Sequence, residues 1–188
     1  MIEIINKKLR RLALLDAIIE QEWEYRYYSF NSAWSESEEM ASLRNGSGGE
    51  WFFLFEAANL AFKCTSPVDG LAQDFEELKL KVPERFSSFL NEPAFSMSQG
   101  SCIWYVQDQS WVKLGISIND LPDPEAILIM TASDYCKFAE SYFERQVNQS
   151  LVGSVLEGNY TLEIAKQINP EIDIELLAKD LVEIGECA

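Results

Sequence analysis

Ile5, Leu9, Leu12, Leu15, Ile18 and Ile19 recur at steps of three and four, the spacing of one helix face, and predict a helix over residues 3–22. The period then changes to two. Trp23, Tyr25 and Tyr27 alternate with Glu24 and Arg26, which predicts a strand with one polar face. Residues 35–43 open on a Ser-x-Ser-Glu-Glu start and predict a short helix. Asn45–Gly49 ends it, because Gly46, Gly48 and Gly49 permit positive φ. Trp51–Phe55 and Leu60–Cys64 predict a strand pair joined through Glu56-Ala57-Ala58-Asn59.

Further along, Pro67 and Gly70 mark a turn-rich link over residues 65–70, and short helices are predicted at Asp74–Leu80 and Glu84–Leu90. Cys102–Val106 and Trp111–Gly115 predict a hairpin with Gln107-Asp108-Gln109-Ser110 as its turn. The two prolines of residues 120–125 predict a loop. A helix over 131–146 is capped by Thr131 or Ser133 and carries Tyr135, Phe138, Tyr142 and Phe143 on one side. Three shorter helices follow at about 148–157, 161–168 and 172–185, the last stopped by Gly185. The sum is an α+β fold: an antiparallel sheet of about four to six strands, helices to one side of it, and a helical C-terminal third. We expect one domain over 1–188, with a strand-rich middle at 23–118 and a helical part at 126–186.

Aromatic density changes this picture at one place. Ten of the 23 aromatic residues lie between Trp23 and Phe55, on both sides of the Arg44–Glu50 loop. Aromatics bury much area, and Tyr and Trp carry a polar handle as well. The segment is therefore either core or the wall of a binding site. The regular pieces are most economically core strands, which leaves Arg26, Trp34, Arg44, Asn45, Ser47 and Trp51 as the candidate ligand- or partner-binding residues. Successive glycines expose backbone N–H groups, and Arg44 adds a guanidinium fork for a carboxylate or phosphate. The loop lacks the Gly-Lys-Ser/Thr ending of a P-loop, and a flexible link is its plainer reading. Arg26, between two tyrosines, fits either a ligand or an acid partner within the fold.

The net charge is −16, from 31 acids and 15 bases. A field of that sign repels phosphate backbones, so nucleic acid is disfavoured and a basic protein partner favoured. Lys7, Lys8, Arg10 and Arg11 are a local exception. They resemble a signal-peptide start, but Asp16 and Glu20 interrupt the apolar run, and no small-x-small cleavage site follows. Neither membrane insertion nor membrane association is expected, and an ordinary surface helix is preferred.

The chain has no histidine, so Ser-His-Asp and Cys-His nucleophile systems cannot be built. Cys64, Cys102, Cys136 and Cys187 show no metal or redox spacing and read as reduced thiols, hence a cytoplasmic setting. Cys136 beside Lys137 would have a lowered thiol pKa if the charge dominated. Asp120, Asp123 and Glu125 offer oxygen ligands from one loop, but off the EF-hand spacing. No cofactor or metal site is expected, and the catalytic residues of any enzyme here are unknown.

The stretch RYYSFNSAW…SLRNGSGGEWFFLF and the ending INPEIDIELLAKDLVEIG resemble a family of uncharacterised bacterial proteins. That resemblance brings no activity and no catalytic residue. Two functions of different class remain. One is a small acidic binding protein that captures a basic protein partner, in the manner of toxin-neutralising immunity proteins. The other is a carboxylate- or metal-dependent enzyme on a small molecule, with its pocket near residues 26–51. Binding is preferred, because histidine supplies so much acid–base chemistry at neutral pH.

Overall fold

The computed structural model describes residues 1–186, so Cys187 lies outside the described residues. Six strands follow one another in chain order across a single antiparallel sheet. They are β1 (Tyr28–Asn31), β2 (Glu38–Arg44), β3 (Glu50–Glu56), β4 (Asn59–Thr65), β5 (Cys102–Gln107) and β6 (Ser110–Gly115). The helices are α1 (Ile2–Ile19), α2 (Phe75–Leu80), α3 (Ser87–Asn91), α4 (Pro124–Ile129), α5 (Ala132–Tyr142), α6 (Gln149–Glu157), α7 (Leu162–Ile168) and α8 (Ile174–Ile184). The class is α+β, with a helical final third. Short links make antiparallel neighbours the natural pairing. The β3–β4 and β5–β6 links have two residues each, and in the second Asp108 and Gln109 both take positive φ as a type I′ hairpin demands.

Helices cover both faces of the sheet, not one. Trp51, Phe53 and Phe55 point with Tyr28, Phe30, Leu43, Phe62, Cys64 and Trp104 into a large core shared with α1 and the C-terminal helices. Phe52 and Leu54 point the opposite way, into a smaller core with Phe75, Phe86, Phe89 and Phe95 from the segment between β4 and β5. Successive strand residues alternate faces, so a strand covered on both sides must be apolar throughout. That is why β3 reads Trp-Phe-Phe-Leu-Phe with no polar break.

Two expected elements are corrected. Residues 35–43 do not form a helix. Glu38–Arg44 is strand β2, paired along its whole length with β3. Its residues are good helix formers, but its alternate positions fill the two cores: Ala41 and Leu43 one, Met40 the other. Tertiary pairing outweighs a local propensity worth tenths of a kcal/mol per residue. Trp23–Tyr27 is not a strand either. Trp23–Tyr25 is a single 3-10 turn, and β1 begins at Tyr28. The buried residues of β1 are Tyr28 and Phe30. Trp23 and Tyr25 lie in that turn, outside the strand, and are 53% and 57% exposed, whereas Tyr27, just before β1, is buried with Tyr28 and Phe30. A third element went unread: Pro124 occupies the first turn of α4, and Asp123 caps it by accepting from the N–H groups of Glu125 and Ala126.

α1 lies at the centre of the helical layer, packed on β1 and on α4, α6, α7 and α8. Its basic residues explain themselves there. The Lys8 ammonium donates to the Met130 carbonyl at the end of α4, at 2.5 Å. Arg11 donates to the Leu156 carbonyl in the last turn of α6, at 2.7 Å, and Arg10 to the Ile184 carbonyl that ends α8. Helix C-termini carry unpaired carbonyls and partial negative charge, so three cations from one helix fasten the ends of three others. Gly158 and Gly185 follow α6 and α8 at φ +88 and +75, and a Cβ at either would meet Arg11 or Arg10. No helix among the described residues is long and apolar enough to cross a membrane.

Lys63 is an exception to the apolar filling of the second core. Its side chain is 0% exposed, with Glu50 at 3.8 Å and the Ser96 carbonyl at 3.5 Å as its polar neighbours. Burial holds its pKa below the usual lysine value, against the opposing pull of Glu50. Loose contacts of this kind do not repay the desolvation of an ammonium. Lys63→Met should therefore raise unfolding stability, by about 1–2 kcal/mol in urea denaturation. A loss of stability in that variant would show that the ammonium is better matched than these distances indicate.

Candidate functional site

The six candidate residues are not brought together in one cleft. Arg26 is only 8% exposed. It donates to the carbonyls of Glu20 (2.7 Å) and Gln21 (2.9 Å) and makes a two-pronged ion pair with Asp180, both arms at 2.8 Å. Trp51 is fully buried in the large core, edge-on to Phe53 at 4.9 Å, and its Nε1 has no hydrogen-bond partner among the described residues. Trp34 lies beyond the other face of the sheet, stacked on Phe95, with its indole N–H donated to Glu92 at 3.1 Å.

The Arg44–Glu50 loop closes on itself. The Asn45 carboxamide oxygen accepts from the N–H groups of Ser47 and Gly49, both at 2.9 Å, and Asn45 N donates to the Gly49 carbonyl at 3.0 Å. The Asn45, Ser47 and Gly49 amides are thus consumed inside the loop. Ser47 is exposed. Arg44 is exposed too, its guanidinium 5.5 Å from the Trp23 ring centre and 5.4 Å from that of Phe52. The cavity beside Arg26 and Arg44 holds only about 30 Å³.

A larger concavity lies elsewhere, an open cleft of about 740 Å³. One wall is the first half of α1 (Met1, Ile2, Glu3, Asn6, Arg10), and another is the β1–β2 link from Ser32 to Glu39. Phe55, Ala57 and Ala58 from the β3–β4 hairpin form its floor. A single hydrogen-bonded group organises the junction of these walls. Arg10 donates to Glu39 at 2.5 Å and to Asn6 at 2.9 Å, and Asn6 donates to the second Glu39 oxygen at 2.6 Å. Arg10 also lies over the Phe30 ring at 4.5 Å. The one arginine of the cleft is thereby occupied. Glu3 pairs with Lys7, whereas Glu36 and Glu38 make no ion pair among the described residues. The cleft therefore presents the unpaired carboxylates of Glu36 and Glu38 beside Phe55, Ala57 and Ala58, with the Met1 ammonium also on its lining.

The second half of α1 carries a buried carboxylate. Asp16 is 0% exposed. It accepts from Tyr27 N (3.0 Å), Tyr28 N (2.7 Å) and the Tyr135 hydroxyl (2.6 Å), which ties α1 to the start of β1 and to α5. Burial pushes its pKa up to about 7, and the three donors with Arg26 nearby pull the other way. The apolar run Leu12–Ile19, broken only by Asp16, is the sequence signal for such a group. The cleft had a weaker signal, the acidic cluster from Glu36 to Glu39.

The remaining candidates have structural duties. Asp123 caps α4, and Glu125 pairs with Lys113 at 2.7 Å. Cys64 and Cys102 stand directly opposite on β4 and β5, both buried. Cys136 does not have a lowered pKa beside Lys137, because its partial burial moves it up. Among the described residues no group of three or more His, Cys, Asp or Glu side chains stands close enough to hold a metal ion. The protein that fold and cleft define is an α+β sheet protein with helices on both faces and an acidic groove. No family model matches the chain, and neither a curated protein nor a solved structure is significantly similar to it.

Proposed function

We propose that this chain is a binding protein that captures a basic protein partner, as toxin-neutralising immunity proteins do. The observation that carries the reading is the cleft between α1 and the β1–β2 link, where Glu36 and Glu38 are unpaired and the sole arginine is held by Glu39. The net charge of −16 adds long-range attraction for a cationic surface. A concave acidic groove with an apolar floor suits a lysine or arginine side chain, whose alkyl stem and charged head need both.

Calorimetric titration with cytochrome c, a small basic protein, tests this. Binding is expected at about 20 mM salt and should weaken steeply toward about 200 mM, as screening shortens the range of the field. Lysine-acetylated cytochrome c should not bind. Glu36→Gln with Glu38→Gln should weaken binding about fivefold, the effect of two exposed charge pairs. The remote pair Glu171→Gln and Glu175→Gln should leave it unchanged. Absence of binding at low salt, or equal losses in both double variants, would overturn the cleft as the capture site.

A further inference from the structure

The turn that joins α1 to β1 projects Glu22, Trp23, Glu24 and Tyr25 into solvent in one run. A tryptophan and a tyrosine more than half exposed side by side are unusual, because these side chains gain most from burial. They are not exposed through looseness. Tyr25 N donates to the Glu22 carbonyl and Arg26 N to the Trp23 carbonyl, which closes the turn. Arg26 grips the carbonyls of Glu20 and Gln21 from beneath. Gln21 is locked to Asp173 by two reciprocal hydrogen bonds, at 2.8 and 2.7 Å. The backbone under both rings is thus fixed before any partner arrives, which lowers the ordering cost of binding.

The surroundings of the rings are acidic. Glu20, Glu22 and Glu24 lie along the turn, and Trp23 borders a shallow depression with Asp180 and Glu183 of α8. Of the two arginines near the turn, Arg26 is neutralised by Asp180. The other, Arg44, already lies over one face of the Trp23 ring, 5.5 Å from its centre, and makes no ion pair among the described residues, so it takes up that face and offsets part of the local acidic charge. The local field is also felt by Tyr25, whose hydroxyl is held above its usual pKa by Glu24 first and then by Glu22 and Glu20.

We propose that the Trp23–Tyr25 turn is a second contact surface for the basic protein partner, receiving arginine side chains of that partner on its exposed aromatic faces within the ring of glutamates. The inference rests on the reading of the chain as a captor of a basic protein, and adds the residues that anchor it. Tryptophan, tyrosine and arginine dominate interface energetics. Indole is also the strongest aromatic acceptor for a cation, and flanking carboxylates strengthen the attraction.

The test is an amide and indole NMR titration of the full chain with a nona-arginine peptide, and with a nona-citrulline peptide of the same shape and no charge. The five tryptophans give separate indole N–H signals, and loss of one in Trp23→Phe assigns Trp23. The Trp23 signal should move with the arginine peptide and stay still with citrulline, while the buried Trp51 and Trp104 are unaffected. Glu22→Gln with Glu24→Gln should weaken the apparent affinity about fivefold at unchanged thermal stability. If the peptide shifts signals at Glu36–Glu39 and leaves Trp23 unmoved, this surface is overturned and the acidic-cleft reading survives. If no signal moves at low salt, both fall.

Discussion

Asp16→Ala is expected to lower unfolding stability by about 4 kcal/mol. The carboxylate is the shared acceptor for two backbone N–H groups and one tyrosine hydroxyl, all buried. Removing it strands three donors, each worth about 1–3 kcal/mol when left unpaired in the interior. For a chain of this size the melting midpoint should fall by roughly 8–16 °C. Asp16→Asn is a sharper probe. Its carbonyl oxygen can still accept from Tyr27 and Tyr28, and its amide can donate to the Tyr135 oxygen, so the cost should be about 1–2 kcal/mol.

The same residue predicts a pH dependence. Its folded pKa of about 7 lies above the ordinary aspartate value of 3.8. Between these two values the folded state binds a proton that the unfolded state does not. The stabilisation from Asp16 is therefore complete below about pH 4 and is lost as pH rises through about 7, at up to about 1.4 kcal/mol per pH unit. Urea unfolding of wild type and Asp16→Asn from pH 5 to pH 8 measures this directly. The stability advantage of the wild type should shrink as pH rises. A constant difference would show instead that the three donors keep Asp16 ionised throughout.

Arg26→Ala is expected to cost about 3–5 kcal/mol, the range for breaking one side of a buried ion pair. Two backbone carbonyls and Asp180 would lose their donor together. Arg26→Lys should recover only part, because a single ammonium cannot reproduce the fork that spans Asp180 and both carbonyls. Pairing Arg26→Ala with Asp180→Ala should be less harmful than the sum of the single changes, since no unpaired charge then remains. Near-additivity in that double-mutant cycle would show that the ion pair itself contributes little. Arg26 also lowers the Asp16 pKa, so its loss should shift the pH window of Asp16 upward.

Much of the chain's local structure was legible. The 3–4 spacing of α1, the β3–β4 pair, the β5–β6 hairpin, the capped helix after Thr131 and the three short helices that follow it all appear where the pattern points. Each is decided within a dozen residues, by which face a side chain must occupy and which backbone groups need capping. β2 was not legible, because its sequence favours a helix in isolation and only β3 beside it makes a strand the better state.

The candidate site was legible only in composition. The acidity that favours a cationic partner is plain in the sequence, as is the impossibility of histidine chemistry. Which charges stay free is not. Arg26 fits a ligand or an acid within the fold as far as the sequence goes, and only Asp180, 154 positions away, decides for the acid. Trp23 and Tyr25 read as part of a core strand, but the chain makes a 3-10 turn there and β1 starts only at Tyr28. Glu36 and Glu38 become a cleft wall only because α1 and the β3–β4 hairpin arrive beside them. The sequence by itself determined the local elements, the α+β class and the sign of the field, since all three depend on short-range pattern or on simple totals. Only the tertiary structure decided which arginines are neutralised, which aromatics face water and where the acids converge, since those depend on partners far apart in the chain.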